Sequence, residues 1–188
     1  MISQCEVMTK QRKKNERHAI CLVDLENLCR GSEQVGQLSA MVHSWVKQVN
    51  RTLGHFTTIR NVVATGLNAI EINPSVKWHW YDAEFHIGHG VDGADRKLLD
   101  VLRTDTRLRR CDDVLIWSGD GCFSTPIRQL QDHGCLITVL SWKDAMSTEL
   151  RDAADRCFEF QLPRRSRIRS NGANPVLGVI ADQFYLAA

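Results

Sequence analysis

Short apolar runs alternate with amphipathic segments, and this alternation constrains the fold of the chain more than any other feature. Residues 18–24 (HAICLVD) are almost wholly apolar and end in an acid, which is typical of a parallel strand buried on both faces. Residues 35–53 follow with apolar side chains at steps of three and four, the spacing of an amphipathic helix. Because the alternation continues along the chain, the sequence predicts an α/β fold with a mostly parallel sheet.

The other predicted elements extend this pattern to residue 161. Further strands are predicted from β-branched, apolar or alternating runs at 57–65, 76–81, 113–117, 135–141 and 157–161. Further helices are predicted at 68–73, 95–102, 123–133 and 147–154. Residues 86–93 (HIGHGVDG) are rich in glycine, so we predict a loop there.

Composition fits one globular domain with charged ends. The 188 residues are 43% hydrophobic and 24% charged, which excludes collagen-like, low-complexity and wholly disordered chains. The formal net charge is +2, but residues 1–17 and 163–188 each carry +3 and residues 18–162 carry −4. We expect a basic N-terminal flank, a domain over 18–162, and a basic then apolar C-terminal tail. Basic flanks are common in proteins that bind nucleic acid, and solubilising ends have the same composition.

The seven cysteines indicate a reducing compartment. No two have the C-x-x-C spacing of zinc or redox sites, and Cys21, Cys135 and Cys157 lie in apolar runs where a thiol acts as a small hydrophobic group. Residues 1–14 lack the apolar stretch of a signal peptide, and no run approaches the ~18 apolar residues of a membrane helix. We therefore expect a cytoplasmic protein without a membrane segment.

Two acidic residues stand where predicted strands end. Asp24 closes the first strand in the segment DLEN, and Asp120 follows the 113–117 strand in the segment SGDG. In open α/β sheets, ligands bind beyond the carboxyl ends of the strands, where the strand order reverses. A local cap would also explain Asp24 or Asn27, and a turn former would explain Asp120.

A third acid, Asp95, begins the predicted helix over 95–102. It shares a helix face with Leu98 and Leu102, so its carboxylate is expected to face the sheet. Asp92 lies three residues earlier, at the spacing of a helix cap. Converging carboxylates stay ionised only when cations neutralise them, and oxygen ligands suit Mg²⁺ or Mn²⁺, ions that usually serve phosphate chemistry.

Three segments carry a recognisable pattern: DLEN after the first strand, GADRKLLD at the start of a helix, and VLIWSGDGCF around a later strand. Together they resemble the motifs of the NYN domain, a family of the PIN-like nuclease superfamily. The strand over 134–140 and the segment STELRDAAD resemble the closing elements of that family. The resemblance covers roughly residues 18–160. It implies a Rossmann-like, three-layer α/β/α fold and a metal-dependent endoribonuclease that hydrolyses RNA phosphodiester bonds.

The resemblance also implies roles for individual residues. Asp24, Asp95 and Asp120 would hold a Mg²⁺ or Mn²⁺ ion, Asp92 would add a ligand, and Asn27 would position the first carboxylate or a water. Many relatives carry another acid two or four places after the SGD aspartate, where this chain has Cys122 and Ser124. Fewer acids favour weaker metal binding or a single ion. They also leave open a degenerate NYN domain that binds RNA or a protein without cutting.

Residues around the three acids are the candidate RNA contacts. The set consists of His86, His89, Arg96, Lys97, Ser118 and Ser124. Ordinary loop histidines and a solvated helix face explain most of these equally well. Trp78, Trp80 and Tyr81 are expected either to pack in the core of a strand or to stack on bases.

RNA, single-stranded or structured, is therefore the expected partner. The sequence leaves the oligomeric state open; a homodimer would fit, because PIN-like domains often dimerise and the apolar tail would allow it. Another phosphate-handling enzyme, such as a phosphatase, is less favoured. No Asp-x-Asp motif follows the first strand, and the chain has no Walker-type glycine loop.

Overall fold

The strands of this chain form one sheet. The computed structural model describes residues 17–54 and 56–160, and the backbone of residues 185–186. The strands are β1 (Arg17–Asp24), β2 (Phe56–Gly66), β3 (Glu84–Gly88), β4 (Asp113–Trp117), β5 (Leu136–Trp142), β6 (Arg156–Phe160) and β7 (Tyr185–Leu186). Their order is β3-β2-β1-β4-β5-β6-β7, with β1 to β6 parallel and β7 antiparallel to β6. The predicted mostly parallel sheet is confirmed.

Helices cover both faces of this sheet. They are α1 (Leu25–Cys29), α2 (Ser32–Leu53), α3 (Leu67–Ile72), α4 (Val76–His79), α5 (Gly93–Thr104), α6 (Ser124–Gln131) and α7 (Thr148–Ala153). Side chains of α5, α6 and α7, such as Leu98, Ile127 and Leu150, pack on one face. Side chains of α1 to α4, such as Leu25 and Val46, pack on the other. The predicted three-layer α/β/α fold is therefore confirmed.

The central strands explain the apolar runs of the sequence. In β4, Val114 and Ile116 face the layer that holds α5, while Leu115 and Trp117 face the layer that holds α2. A strand buried on both faces needs apolar residues at every position, and not at alternate ones. This is why the sequence predicts the strands at 18–24 and 113–117 correctly.

The strand order reverses between β1 and β4. After β1 the chain builds β2 and β3 on one side of β1, and then crosses to build β4, β5 and β6 on the other. Val23 pairs with Trp117, so Asp24 and Ser118 are the next residues of two adjacent strands. The crevice of such a sheet opens at this reversal, beyond the carboxyl ends of the strands.

The segment from 76 to 93 differs from the prediction. Residues 76–81 form the helical turn α4 and a following turn, and not a strand. Side chains two positions apart share a face in a strand but lie on different sides of a helix. Accordingly Trp80 is 1% exposed, whereas Trp78 and Tyr81 are each 77% exposed. The strand prediction for this segment was wrong; of the two alternatives, core packing holds for Trp80 and not for Trp78 and Tyr81.

The strand of this segment is instead β3, whose residues 86–88 overlap the start of the predicted 86–93 loop. Its residues Glu84 to Gly88 pair in parallel with Val62 to Gly66 of β2. The glycine content that indicated a loop is compatible with this edge strand because Gly88 is its last residue. An added Cβ at Gly88 would overlap the backbone of Gly93 at the start of α5. The missing side chain thus lets α5 begin directly against the end of β3.

Parts of the predicted organisation lie outside the described residues. These are the basic flank up to residue 16 and, except for the backbone of β7, the C-terminal tail. None of the helices in the described ranges is long and apolar enough to cross a membrane.

Trp78 and Trp80 offer a direct test of the helical turn. We expect Trp80→Ala to lower the free energy of unfolding by about 3–5 kcal/mol, because it empties a buried site beside His43. Trp78→Ala should change it by less than about 0.5 kcal/mol, as expected of an exposed position. Urea unfolding of both variants checks this. Equal losses would indicate that the two indoles share one face, as in a strand.

Candidate metal centre

A cavity of about 410 Å³ opens at the carboxyl ends of β1 and β4. Its lining brings together the four predicted acids and one that was not predicted. The polar and aromatic residues of this lining are Asp24, Glu26, Asn27, Arg30, Asp92, Asp95, Asp120 and Trp142. The strand reversal therefore places the predicted acids around one cleft.

Asp24 is the buried acid of this cleft. Its side chain contacts both α1 and the end of β4: Oδ1 accepts the backbone N–H of Asn27 at 3.1 Å, and Oδ2 accepts the hydroxyl of Ser118 at 2.9 Å. The first contact caps α1, so the cap interpretation holds for one of the two oxygens. The second contact ties β1 to β4. Asp24 is 3% exposed, which leaves its carboxylate little contact with water.

The loop after β4 is fastened to α1 by two further hydrogen bonds. Ser118 Oγ accepts the backbone N–H of Asp120 at 3.2 Å, and Asn27 Oδ1 accepts the N–H of Gly119 at 3.2 Å. An added Cβ at Gly119 would overlap the carbonyl oxygen of Ala145. Ser118 itself is fully buried. Its burial contradicts the predicted contact with RNA, and its hydroxyl instead joins two of the acids.

Asp95 and Asp120 face each other across the cleft. One carboxylate oxygen of each and the Sγ of Cys122 all lie within 4.8 Å of one another. Asp120 is exposed, and its Oδ1 accepts the N–H of Cys122 at 2.8 Å. Burial and the nearby acids raise the pKa of the Cys122 thiol, which keeps it protonated while no cation is near. The grouping offers two hard oxygen ligands and one thiol.

The acids raise one another's proton affinity. Burial and the charge of Asp95 raise the pKa of Asp24 from 3.8 to about 7. Burial and the charges of Asp120, Asp92 and Glu26 raise the pKa of Asp95. The clustered carboxylates are therefore short of compensating positive charge.

Two acids at the rim differ from the sequence interpretation. Asp92 precedes α5 in a left-handed conformation (φ 53°), and its side chain makes no capping hydrogen bond. Asp92 therefore occupies the N-cap position that its spacing predicts, but its side chain does not cap the helix. Glu26 was not predicted as a site residue, although it lies two residues after Asp24. Its Oε1 accepts the N–H of Gly66 at 2.6 Å, which holds it at the end of β2.

The other predicted RNA contacts are not among the described residues that line the cavity; they are His86, His89, Arg96, Lys97 and Ser124. His86 Nε2 lies 3.1 Å from Glu84 Oε1 on β3, and burial and the charges of Lys97 and Arg60 lower its pKa. Arg96 donates to the carbonyl oxygens of His89 and Val91 at 2.8 and 2.6 Å. It therefore braces the loop before α5. Lys97 and Ser124 are half-buried, on α5 and at the start of α6.

The donor set of the cleft fits a hard divalent cation. Five carboxylates line it, and among the described residues the one basic side chain in the lining is Arg30. Mg²⁺ and Mn²⁺ prefer carboxylate oxygens and retain several waters, which an open cleft can admit. Such an ion would also relieve the repulsion that raises the pKa of Asp24 and Asp95.

Comparisons with known proteins agree with the resemblance seen in the sequence. The family model of the NYN domain matches residues 81–161, which include Asp92, Asp95 and Asp120. A crystal structure of a protein of unknown function from Vibrio parahaemolyticus has a similar fold, with a TM-score of 0.55 and 16% identity. The match covers 78% of this chain and 94% of that chain, and at this identity it concerns the fold alone. No curated protein matches the chain.

The raised pKa of Asp24 predicts how stability depends on pH without metal. The folded state binds the Asp24 proton more tightly than the unfolded state does. The free energy of unfolding that this proton contributes is therefore lost as pH rises from 3.8 through about 7. Asp24→Asn removes this loss; its amide oxygen can still accept the N–H of Asn27, while its NH2 can donate to Ser118 Oγ in place of the acceptor bond. In EDTA at pH 8 we expect the variant to be more stable than the parent by about 2–4 kcal/mol, and nearly equal to it at pH 4.5.

Urea unfolding at the two pH values checks this prediction. Asp132→Asn, which removes an exposed acid that does not line the cleft, serves as the matched control and is expected to follow the parent. An Asp24→Asn variant that is less stable than the parent at both pH values would show that the buried charge does not oppose folding.

Proposed function

Because residues 81–161 match the NYN domain and the cleft gathers its acids at the strand reversal, we propose that the protein is a metal-dependent endoribonuclease. The observation that supports this most is the convergence of Asp24, Asp95 and Asp120. They come from three distant segments of the chain, at the end of β1, in α5 and after β4, and line one cavity. Three separate elements that all direct acids into one cleft are costly to stability, and such arrangements are common at functional sites.

In this proposal Asp24, Asp95 and Asp120 hold a Mg²⁺ or Mn²⁺ ion, and Asp92 and Glu26 add negative charge at the rim. When bound, the ion activates water and stabilises the leaving oxygen of a phosphodiester bond. The chain contributes the geometry. Ser118 holds Asp24 and the N–H of Asp120 together, and Asn27 holds the loop after β4 by the N–H of Gly119. These contacts keep the acids in place before any ligand arrives.

RNA is the proposed substrate, and this follows from the family resemblance together with the acid set. The basic flanks would add sequence-independent attraction to its backbone. A cytoplasmic location and a homodimer remain predictions from the sequence.

A second candidate is a degenerate NYN domain that binds RNA or a protein without cutting. Cys122 and Ser124 support it, because they occupy positions where many relatives carry a further acid. In this chain the Cys122 thiol lies beside Asp95 and Asp120, where another carboxylate would strengthen metal binding. The two candidates differ in whether metal is bound and RNA is cut.

Cleavage of a labelled RNA with Mn²⁺ or Mg²⁺ tests the proposal. We expect the parent to cut and EDTA to stop it. Asp120→Asn and Asp95→Asn should each lower the rate at least about 100-fold, because each removes a charged ligand of the ion. Asp132→Asn is the matched control, since it removes an exposed acid that does not line the cleft.

The two candidates give different results in this assay. If the parent binds RNA but neither cuts it nor takes up Mn²⁺, the binding module is favoured. If Asp120→Asn and Asp95→Asn both cut as fast as the parent, the assignment of the site is wrong.

A further inference from the structure

Arg30 lines the cleft but is not one of the proposed metal ligands. We propose that Arg30 binds a backbone phosphate of the RNA, and that Asp144 occupies its guanidinium group until RNA displaces it. This inference rests on the proposed function, because it assigns a phosphate-binding residue to the same cleft. Arg30 is the one basic side chain among the described residues that line the cavity.

Local backbone geometry brings Arg30 to this position. It ends α1 in the left-handed conformation (φ 61°, ψ 47°), and Gly31 follows with φ 113°. A left-handed arginine is uncommon and carries a conformational cost. Its N–H donates to the carbonyl oxygen of Asn27 at 3.2 Å, and that of Gly31 to the carbonyl oxygen of Glu26 at 2.8 Å. The same short helix therefore carries Asp24, Glu26, Asn27 and Arg30 into one cleft.

An aromatic stack supports the guanidinium group. The Arg30 Cζ lies 4.8 Å from the ring centroid of Trp142, and Trp142 stacks on Trp45 with centroids 5.7 Å apart. The Trp142 indole N–H donates to the carbonyl oxygen of Leu28 at 3.0 Å, which fixes the ring. A guanidinium group on an aromatic face keeps its in-plane N–H donors free for a ligand. The stack would therefore hold Arg30 even when Asp144 leaves.

Asp144 binds Arg30 in the way that a phosphate would. Arg30 Nη1 and Nη2 donate to the two carboxylate oxygens of Asp144, at 3.0 and 2.8 Å. Arginine binds carboxylate and phosphate groups with the same two-pronged geometry. The Asp144 side chain is 67% exposed, and Asp144 lies in the turn after β5 and not in the lining of the cleft. An ion pair so exposed contributes little, so an incoming phosphate can replace it readily.

The negative charge of the cleft explains why a phosphate would need Arg30. Five acids line the cavity, and an RNA backbone that approaches them meets repulsion wherever a cation does not neutralise them. Arg30 on the same wall offers the phosphate a positive partner beside the proposed metal ligands. When Asp144 pairs with Arg30, that attraction is cancelled.

Two variants that break the same ion pair should act in opposite directions. Arg30→Gln should weaken the binding of a fluorescent single-stranded RNA to the full chain about tenfold and lower the salt dependence of log K by about 0.7. Asp144→Asn should strengthen binding about two- to fivefold, because it frees Arg30. Lys143→Gln is the matched control for charge: it removes an exposed cation adjacent to Asp144 that does not line the cavity, and its effect should be smaller than that of Arg30→Gln.

Fluorescence anisotropy over a range of salt concentrations measures these constants. Opposite effects of Arg30→Gln and Asp144→Asn support the inference, since a merely structural ion pair would respond alike to both changes. The inference is overturned if both variants weaken binding equally, if Arg30→Gln binds as the parent or the Lys143→Gln control does, or if the parent does not bind RNA.

The same variants separate this inference from the proposed function. If opposite effects on binding occur but no variant or parent cuts RNA, then the phosphate role of Arg30 stands and the nuclease proposal fails. If RNA is cut in a manner that depends on Asp120, and Arg30→Gln binds and cuts as the parent does, then only the phosphate role fails.

Discussion

The hydrogen bonds of Asp24 across the strand reversal are the interaction on which the rest of the site depends. One oxygen caps α1, and the other accepts the hydroxyl of Ser118 at the end of β4. These contacts are available only because β1 and β4 are parallel neighbours in which Val23 pairs with Trp117, so that Asp24 and Ser118 follow side by side. Through Ser118 and Asn27, the same network sets the position of Asp120 and its loop.

The network holds the negative charges of Asp24 and Asp95 at positions where they lower the stability of the folded protein. Burial and neighbouring acids raise the pKa of both Asp24 and Asp95, which means that the charged cluster opposes folding at neutral pH. A structural role would be served as well by amides or apolar residues at these positions. This is consistent with the proposal that the acids are ligands of a cation, which would both neutralise them and supply the chemistry of the proposed reaction.

Sequence reasoning succeeded where burial on both faces leaves a strong pattern. The strands that carry Asp24 and precede Asp120 are continuous apolar runs. The helical spacing of Asp95, Leu98 and Leu102 predicts that Asp95 faces the sheet. Sequence reasoning failed between residues 76 and 93, because Val76, Trp78 and Trp80 alternate with polar residues as in a strand. The helical turn there is set by packing on α2, which no local pattern records.

The site residues could likewise be predicted only where they follow a clear strand pattern. A strand end is visible in the sequence, so Asp24 and Asp120 could be identified, whereas Glu26 and Arg30 depend on the path of a five-residue helix. Ser118 was identified as a neighbour of the site but given the wrong role. Its burial follows from the pairing of β4 with two neighbours, which is a tertiary property.

Crystals soaked in Mn²⁺ test the central claim most directly, through the anomalous scattering of the metal. We predict an anomalous peak in the cleft, with carboxylate oxygens of Asp24, Asp95 and Asp120 at about 2.0–2.3 Å from the ion or bridged to it by water. The same soak of an Asp120→Asn crystal should show a weaker peak or none. A peak absent from this cleft at saturating Mn²⁺, or bound only at other surface acids, would contradict the assignment of a metal centre.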